Sequence, residues 1–332
     1  MRLETSQGRI NSTNEPVGAV PDDLIGRLEQ GRMQFLLLVD HIRPELHRYC
    51  TRMTGSVADG EDVVQETLAC AYYEVSQMKA LPHLRPWLFR IAHNRAIDHW
   101  RHEAHRASEP LDAALEIADA AALEPDSVLA RNQAVRAAIS CFLELAPAQR
   151  GCVILKDVLE HSLDEIAVEL NLSVPAVKAA LSRGRAALHR LTEAPPPAPQ
   201  ARQMSMSLRR YASLFNSHDW EGVRAMLAGD VKLDLVSRRK AAGRREVGSY
   251  FNNYDRAADW HLTPAWLDGR EVLAVLPAAH ASATHASAAR YFIALEWVDG
   301  GVTSIRDFRY VSYITQETLF DLTEFPSHER PT

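Results

Sequence analysis

Between Ala176 and Arg190 the chain carries four bases and no acids. On a helix, Lys178, Ser182, Arg183 and Arg185 fall on an exposed face, and the chemistry open to such a face is hydrogen bonding to base edges and phosphates in a DNA major groove. The residues ahead of it say how that face would be held. Ser162 and Glu165 make a capping box for a first helix, Asn171 suits a left-handed turn, and Ser173 with Pro175 opens the second helix. Ile166, Ala167 and Leu170 would then pack on Val177 and Leu181, which completes a helix-turn-helix.

A second basic grouping lies in Leu84–Arg106, where five arginines and Trp100 stand against Asp98 and Glu103 alone. Arginine neutralises phosphate and aromatic rings stack on unpaired bases, so this helix suits partly single-stranded DNA. A third grouping is acidic: Asp59, Glu61, Asp62, Gln65 and Glu66 open a helix whose apolar stripe is Val63, Val64, Leu68 and Ala71. Carboxylates there lie near the positive end of the helix dipole. Towards the carboxy terminus, Asp234, His261 and Asp307 are the side chains of the right type for a catalytic base.

These groupings need positioning elements, and the pattern supplies two kinds. From Asp22 the period is helical, with one helix ending near Lys79 and the next beginning near Arg85, separated by a loop that Pro82 and Pro86 enforce. Between Arg106 and Arg131 come six acids and no base, the mark of an acidic connector. A second helical unit follows, and it ends at a proline-rich spacer in which Pro195 to Pro199 holds four prolines in five residues. Beyond the spacer the pattern predicts helices at 206–216 and 220–227, and strands at 231–236, 271–276, 290–298 and 302–314. Asp299-Gly300-Gly301 is a hairpin turn between the last two. The expected fold is multidomain, with two all-α units followed by an α+β domain.

Composition sets the limits. A chain of 332 residues suggests two or three domains, and a net charge of -6 from 37 bases and 43 acids confines nucleic-acid binding to local patches. Apolar runs such as Phe35–Val39 are far shorter than a membrane span, so neither a membrane span nor a signal peptide is expected and the reading is cytoplasmic. Cys50, Cys70, Cys141 and Cys152 form no C-x-x-C pair and read as small core residues rather than a disulfide framework or a metal site.

In order along the chain, the D-G-E-D-V-V-Q-E-T helix, then W-L-F-R-I-A-H-N-R-A-I-D-H-W-R, then L-A-P-A-Q-R before S-L-D-E-I-A and V-K-A-A-L-S-R-G-R-A-A-L resemble the extracytoplasmic-function (ECF) group of bacterial sigma factors. The resemblance covers about 35–191, and it departs at Leu68, where many members carry Phe. It implies a factor that binds the clamp and flap regions of core RNA polymerase and directs promoter-specific initiation, with no cofactor and no metal. By position, Asp59, Glu61, Asp62, Gln65 and Glu66 would bind polymerase. Lys79, Arg85, Asn94, Arg95, Asp98, Trp100 and Arg101 would melt and read the -10 element, and Lys178, Ser182, Arg183 and Arg185 the -35 element. The implied domains are a leader (1–21), sigma region 2 (22–106), an acidic linker (107–130), sigma region 4 (131–192), a Pro-rich linker (193–204) and a last domain (205–326). In that last domain the order of helices, strands and final hairpin is similar to the SnoaL-like cone fold, with Asn216-Ser-His-Asp-Trp220 as its anchor.

A D-G-G-G-basic motif of one branch of fused sigma factors is absent, and Arg238-Arg239-Lys240-Ala-Ala-Gly243 stands in its neighbourhood. The cone is expected to regulate the helical units in place of a separate anti-sigma factor, because a tethered domain has a high effective concentration. A small-molecule ligand in the cone is left open. Two other readings remain at this point: a helix-turn-helix regulator that does not engage polymerase, and a cyclase- or isomerase-like enzyme in the cone.

Overall fold

The computed structural model describes residues 22–108, 141–192, 203–257, 259–280 and 289–316, with 318 and 320. The expected leader, residues 109–140 of the connector and its sequel, and residues 193–202 of the spacer lie outside these. Helix α1 (Asp22–Val39) belongs to a compact unit of its own, Met1–His41.

The rest forms a second unit, and its first part is three helices: α2 (Arg43–Thr54), α3 (Val57–Val75) and α4 (Leu84–Ser108). α2 stops on Gly55, whose left-handed φ of 80° lets its N–H return to the Thr51 carbonyl at 2.7 Å. Ser56 then caps α3 by accepting from the Asp59 amide at 3.2 Å. α2 and α3 approach so closely that a Cβ on Gly60 would lie 2.7 Å from the Thr51 backbone nitrogen. α3 ends at Val75, short of the expected Lys79, because the amides of Gln77 and Met78 fold back onto the carbonyls of Glu74 and Val75 and tighten the last turn. α4 opens with Pro86 in its first turn and runs to Ser108, so Ala107 and Ser108 are helical rather than connector.

The second helical part holds α5 (Pro147–Val153), a π-helical turn (Ile154–Val158), α6 (Leu163–Glu169) and α7 (Val174–Thr192). The cone has α8 (Met206–Asn216), α9 (Trp220–Ala225), β1 (Leu227–Leu235), β2 (Arg239–Ala242), α10 (Arg244–Gly248), α11 (Phe251–Asp255), β3 (His261–Leu267), β4 (Arg270–Leu276), β5 (Tyr291–Val298) and β6 (Gly301–Asp307). One six-stranded sheet runs β2-β1-β6-β5-β4-β3, with β1 and β6 parallel and the other pairs antiparallel. This is the α+β, helix-plus-sheet domain expected from the pattern.

Two strands escape the sequence pattern. β3 contains Pro264 and β2 reads Arg-Lys-Ala-Ala, and both are edge strands, where a missing amide and exposed charge are tolerated. The last strand ends at Asp307 instead of Ile314, since its chain turns through 3-10 bonds at Val311 and Ile314. Asp299 and Gly300 both take positive φ, 51° and 78°, which confirms the hairpin turn. Cys50 and Cys152 are buried as expected, whereas Cys70 and Cys141 are only partly covered.

Candidate functional site

The helix-turn-helix forms as its residues dictate. Glu165 donates its amide to Ser162 Oγ at 3.2 Å and its carboxylate accepts the Ser162 amide at 2.7 Å, closing the capping box. Asn171 makes the turn at φ 53°, and Ser173 Oγ accepts the Ala176 amide at 3.3 Å to start α7. Ile166, Leu170, Val177 and Leu181 are buried between the helices. Lys178, Ser182, Arg183 and Arg185 are all exposed on the outer face. Arg185 is the one that bonds within the protein, its Nε and Nη2 donating to Asp157 at 3.0 and 2.5 Å.

On α4, Asn94, Asp98, Trp100 and Arg101 are exposed, and Arg101 lies 3.4 Å from Asp98. Lys79, in the loop before α4, is exposed as well. Trp87, Leu88, Phe89 and Ile91 form the inner stripe. Arg85 is half-buried and held by Glu45, to which it donates from Nε at 3.0 Å and Nη2 at 2.5 Å.

The acidic face of α3 is the part the sequence could not foresee, because the cone grips it residue by residue. Asp59 accepts Arg270 of β4 at 3.2 and 3.3 Å. Glu61 is fully buried and accepts the Tyr313 hydroxyl at 2.8 Å. Asp62 is paired with Arg306 of β6. Gln65 donates to Ser237 Oγ at 2.6 Å, and Arg43 of α2 donates to the same oxygen at 2.9 Å. The Val57 amide donates to Asp268 at 2.7 Å, and the Val57 side chain packs into the cone's own apolar cluster. Arg43 also lies over the Tyr313 ring, 5.5 Å from its centre. Glu66 alone of the five predicted residues faces solvent. Trp100, Asp59, Asp268 and Arg270 share the lining of a cleft of about 250 Å³ between α4 and the cone.

Charge at this contact is costly to hold. Burial raises the Glu61 carboxyl above its ordinary range, against the opposing pull of Arg43, Gln65 and Tyr313. Asp62 is raised for the same reason despite Arg306. Arg43, Ser237, Asp268, Arg270, Arg306 and Tyr313 were all missed by sequence reasoning. Arg306 carried the available signal, a charge in the middle of an otherwise strand-like run.

The three candidate bases of the cone do not meet. Asp307 pairs in register with Leu235 and Arg306 with Asp234, so side-chain alternation puts Asp307 inside the cone and Asp234 on the face that carries Arg306. Asp307 is fully buried, and its carboxylate accepts the hydroxyls of Tyr250 and Tyr254 at 2.7 and 2.8 Å and the Arg309 amide at 2.9 Å. Burial raises its carboxyl despite those bonds. Asp234 lies 3.7 Å from Lys240, and His261 is 3.4 Å from the Asn216 amide nitrogen. No group of His, Cys, Asp and Glu among the described residues is placed to hold a metal, and no described helix is long and apolar enough to cross a membrane.

Comparison with known proteins gives two family matches: residues 38–106 match Sigma-70 region 2, and residues 136–188 match Sigma-70, region 4. The ECF RNA polymerase sigma factor SigW of Bacillus subtilis is 32% identical over 167 residues, 47% of this chain and 87% of SigW. The ECF RNA polymerase sigma factor SigG of Mycobacterium tuberculosis is 29% identical over 218 residues, so the chain spans only 58% of that relative's length, with 58% of its own. Among solved structures, the Mycobacterium tuberculosis extracytoplasmic function sigma factor SigJ matches 82% of this chain and 95% of its own at 21% identity and a TM-score of 0.33.

Proposed function

Because the chain belongs to the ECF RNA polymerase sigma factors, we propose that it binds core RNA polymerase through α3, reads a -10 element with α4 and its preceding loop and a -35 element with α7, and is held inactive by its own cone. The observation that carries this reading is the pairing of Asp59, Glu61, Asp62 and Gln65 with Arg270, Tyr313, Arg306 and Ser237. A surface cannot bind polymerase while it is occupied in this way, so cone and polymerase compete for one face. The exposed bases of α7 and the capped turn before them support duplex reading. Lys79, Asn94, Arg95, Asp98, Trp100 and Arg101 remain the residues for the melted element, with Arg85 joining them once released from Glu45.

The cone acts here as a regulator and carries no catalysis of its own. Asp307, the most deeply placed of its acids, is fully buried and already accepts two hydroxyls and an amide, which supports a structural rather than a catalytic role. A separate anti-sigma factor is then unnecessary, and the setting is the cytoplasm.

Run-off transcription with bacterial core polymerase tests both halves of the proposal. The full chain should give promoter-specific transcripts at a low level, and Arg306→Ala with Arg270→Ala should raise them. Duplex binding with no transcript from either protein would refute the sigma reading. Equal transcription from both would refute the inhibitory role of the cone.

A further inference from the structure

The two helical parts meet at a junction whose bonds do not involve the cone. At one end Arg150 of α5 is buried, 1% exposed, and among the described residues it is hydrogen-bonded to carbonyls. Its Nη1 donates to the Met53 carbonyl at 2.6 Å, and its Nη2 to those of Leu143 and Leu145 at 2.6 and 3.1 Å. Met53 lies in the last turn of α2, so the guanidinium answers the negative end of that helix. At the other end His161, 2% exposed, stands between carboxylates from both parts. Its Nδ1 is 2.8 Å from Glu169 of α6 and its Nε2 is 2.9 Å from Glu45 of α2. Arg85 closes the group, bonded to Glu45 and 3.6 Å from Glu165. Between the two ends α5 lies directly on α2 and α4, since a Cβ on Gly151 would meet Tyr49 and His93 at 3.0 Å.

Permanent interfaces are built from apolar surface. This one buries an arginine whose bonds among the described residues all go to carbonyls, leaves the second oxygen of Glu169 without a partner among the described residues, and mixes charges whose desolvation water would relieve on opening. Its chemistry is that of a contact made to separate. Distance gives a reason for separation. Elements at -35 and -10 are about 25 base pairs, or on the order of 85 Å, apart along duplex DNA at about 3.4 Å per base pair. Here Arg85, from the first turn of the helix proposed to read one element, lies 3.6 Å from Glu165, from the helix that opens the reader of the other.

We propose that Glu45, Arg85, His161 and Glu169, together with Arg150, form an ionic latch that closes the second helical part on the first independently of the cone, and that both promoter elements are engaged only after it opens. The consequence for promoters rests on the sigma reading above. The latch itself does not.

The test uses the full chain with spin labels at Arg90 and Ala186, both exposed, introduced as unnatural amino acids because four native cysteines preclude thiol labelling. Distances are measured by double electron-electron resonance with neither polymerase nor DNA present. The unaltered chain should give one short population. Glu45→Gln with Glu169→Gln should add a longer one, its fraction raised about tenfold or more, as loss of charge-assisted bonds requires. Arg306→Ala on the cone should leave the distribution unchanged. The latch is overturned if the double variant keeps a cooperative thermal transition and a single short distance. Its independence is overturned if Arg306→Ala alone opens the junction. Should the double variant not fold, Glu45→Gln alone, which keeps the His161–Glu169 pair, is read by the same criteria. With no DNA or polymerase present, failure here is separate from failure of the transcription experiment.

Discussion

The hydroxyl of Tyr313 donates to Oε2 of Glu61 at 2.8 Å, joining residues 252 positions apart in the chain. Glu61 lies near the start of α3, the helix proposed to bind polymerase, and has no exposure to solvent. A hydrogen bond to a buried carboxylate is worth about 1.5 to 3 kcal/mol. Tyr313→Phe should therefore weaken the hold of the cone and tighten binding of core polymerase by about tenfold, read as an equilibrium affinity by fluorescence anisotropy. Unchanged affinity would remove Tyr313 from the competition.

Acidity should act on the same contact. The carboxyls of Glu61 and Asp62 are raised by burial in the closed form and return towards their ordinary values when the cone leaves. The closed form therefore binds protons more readily than the open one, so the proton-linked part of closure is complete below the ordinary carboxyl pKa values and is lost as pH rises through the raised ones. Polymerase affinity should accordingly increase as pH rises from the ordinary carboxyl range through the raised values, and Glu61→Gln should flatten that slope. A slope of the opposite sign would contradict the assignment.

His161 predicts a window of stability. Burial pulls its imidazole down, but the bonds to Glu169 and Glu45 prevail and raise it to about 9. Burial also works against Glu45, yet its bonds to His161 and Arg85 hold it at about 2. The histidine contribution is complete below its unfolded pKa of about 6.5 and is lost as pH rises through about 9. The glutamate contribution is complete above about 4.5 and is lost as pH falls through about 2. Thermal stability should thus be greatest near pH 5 to 6.5, at about those unfolded values, and His161→Gln should abolish the decline on the alkaline side. Denaturation scans across pH would decide it.

Gly60 has no room for a methyl group. A Cβ there would stand 2.7 Å from backbone and side-chain atoms of Thr51, which belong to a neighbouring helix and cannot rotate away. Gly60→Ala should cost about 1 to 3 kcal/mol, as overpacking does. Urea denaturation would measure it, and a stability within error of the parent chain would mean that α2 and α3 part freely.

Asp157 holds Arg185, on the face of α7 proposed to read duplex DNA, with two hydrogen bonds. Asp157→Asn removes that charge and should strengthen duplex binding by a few fold, with a steeper dependence on salt as one more base reaches phosphate. Lys178→Ala should act in the opposite direction. Titration of a -35 duplex at two salt concentrations distinguishes the outcomes.

How much of this was legible depends on distance along the chain. The capping box at Ser162 and Glu165, the left-handed Asn171 and the turn at Asp299 and Gly300 are local rules, and each appears where its residues demand. β3 was hidden because Pro264 speaks against a strand, and only its edge position makes the proline harmless. Asp307 was legible as a carboxylate of interest but not as a hydrogen-bonded one, since Tyr250 and Tyr254, at the start of α11 and within it, lie more than 50 positions earlier in the chain. The order of the acidic helix, the arginine-rich helix and the helix-turn-helix was enough to point to the family. The partners of Glu61 and His161 were not readable, because nothing in a helix's own periodicity says what will cover it.

Strand β6 puts Arg306 outside, on Asp62, and Asp307 inside, among the tyrosines, on consecutive residues. A substitution that disturbs the interior of the cone therefore shifts the arginine that restrains the other half of the molecule. Inherited variation deep in the cone would then surface as altered gene expression, and selection acting on promoter output would preserve interior residues that never approach DNA.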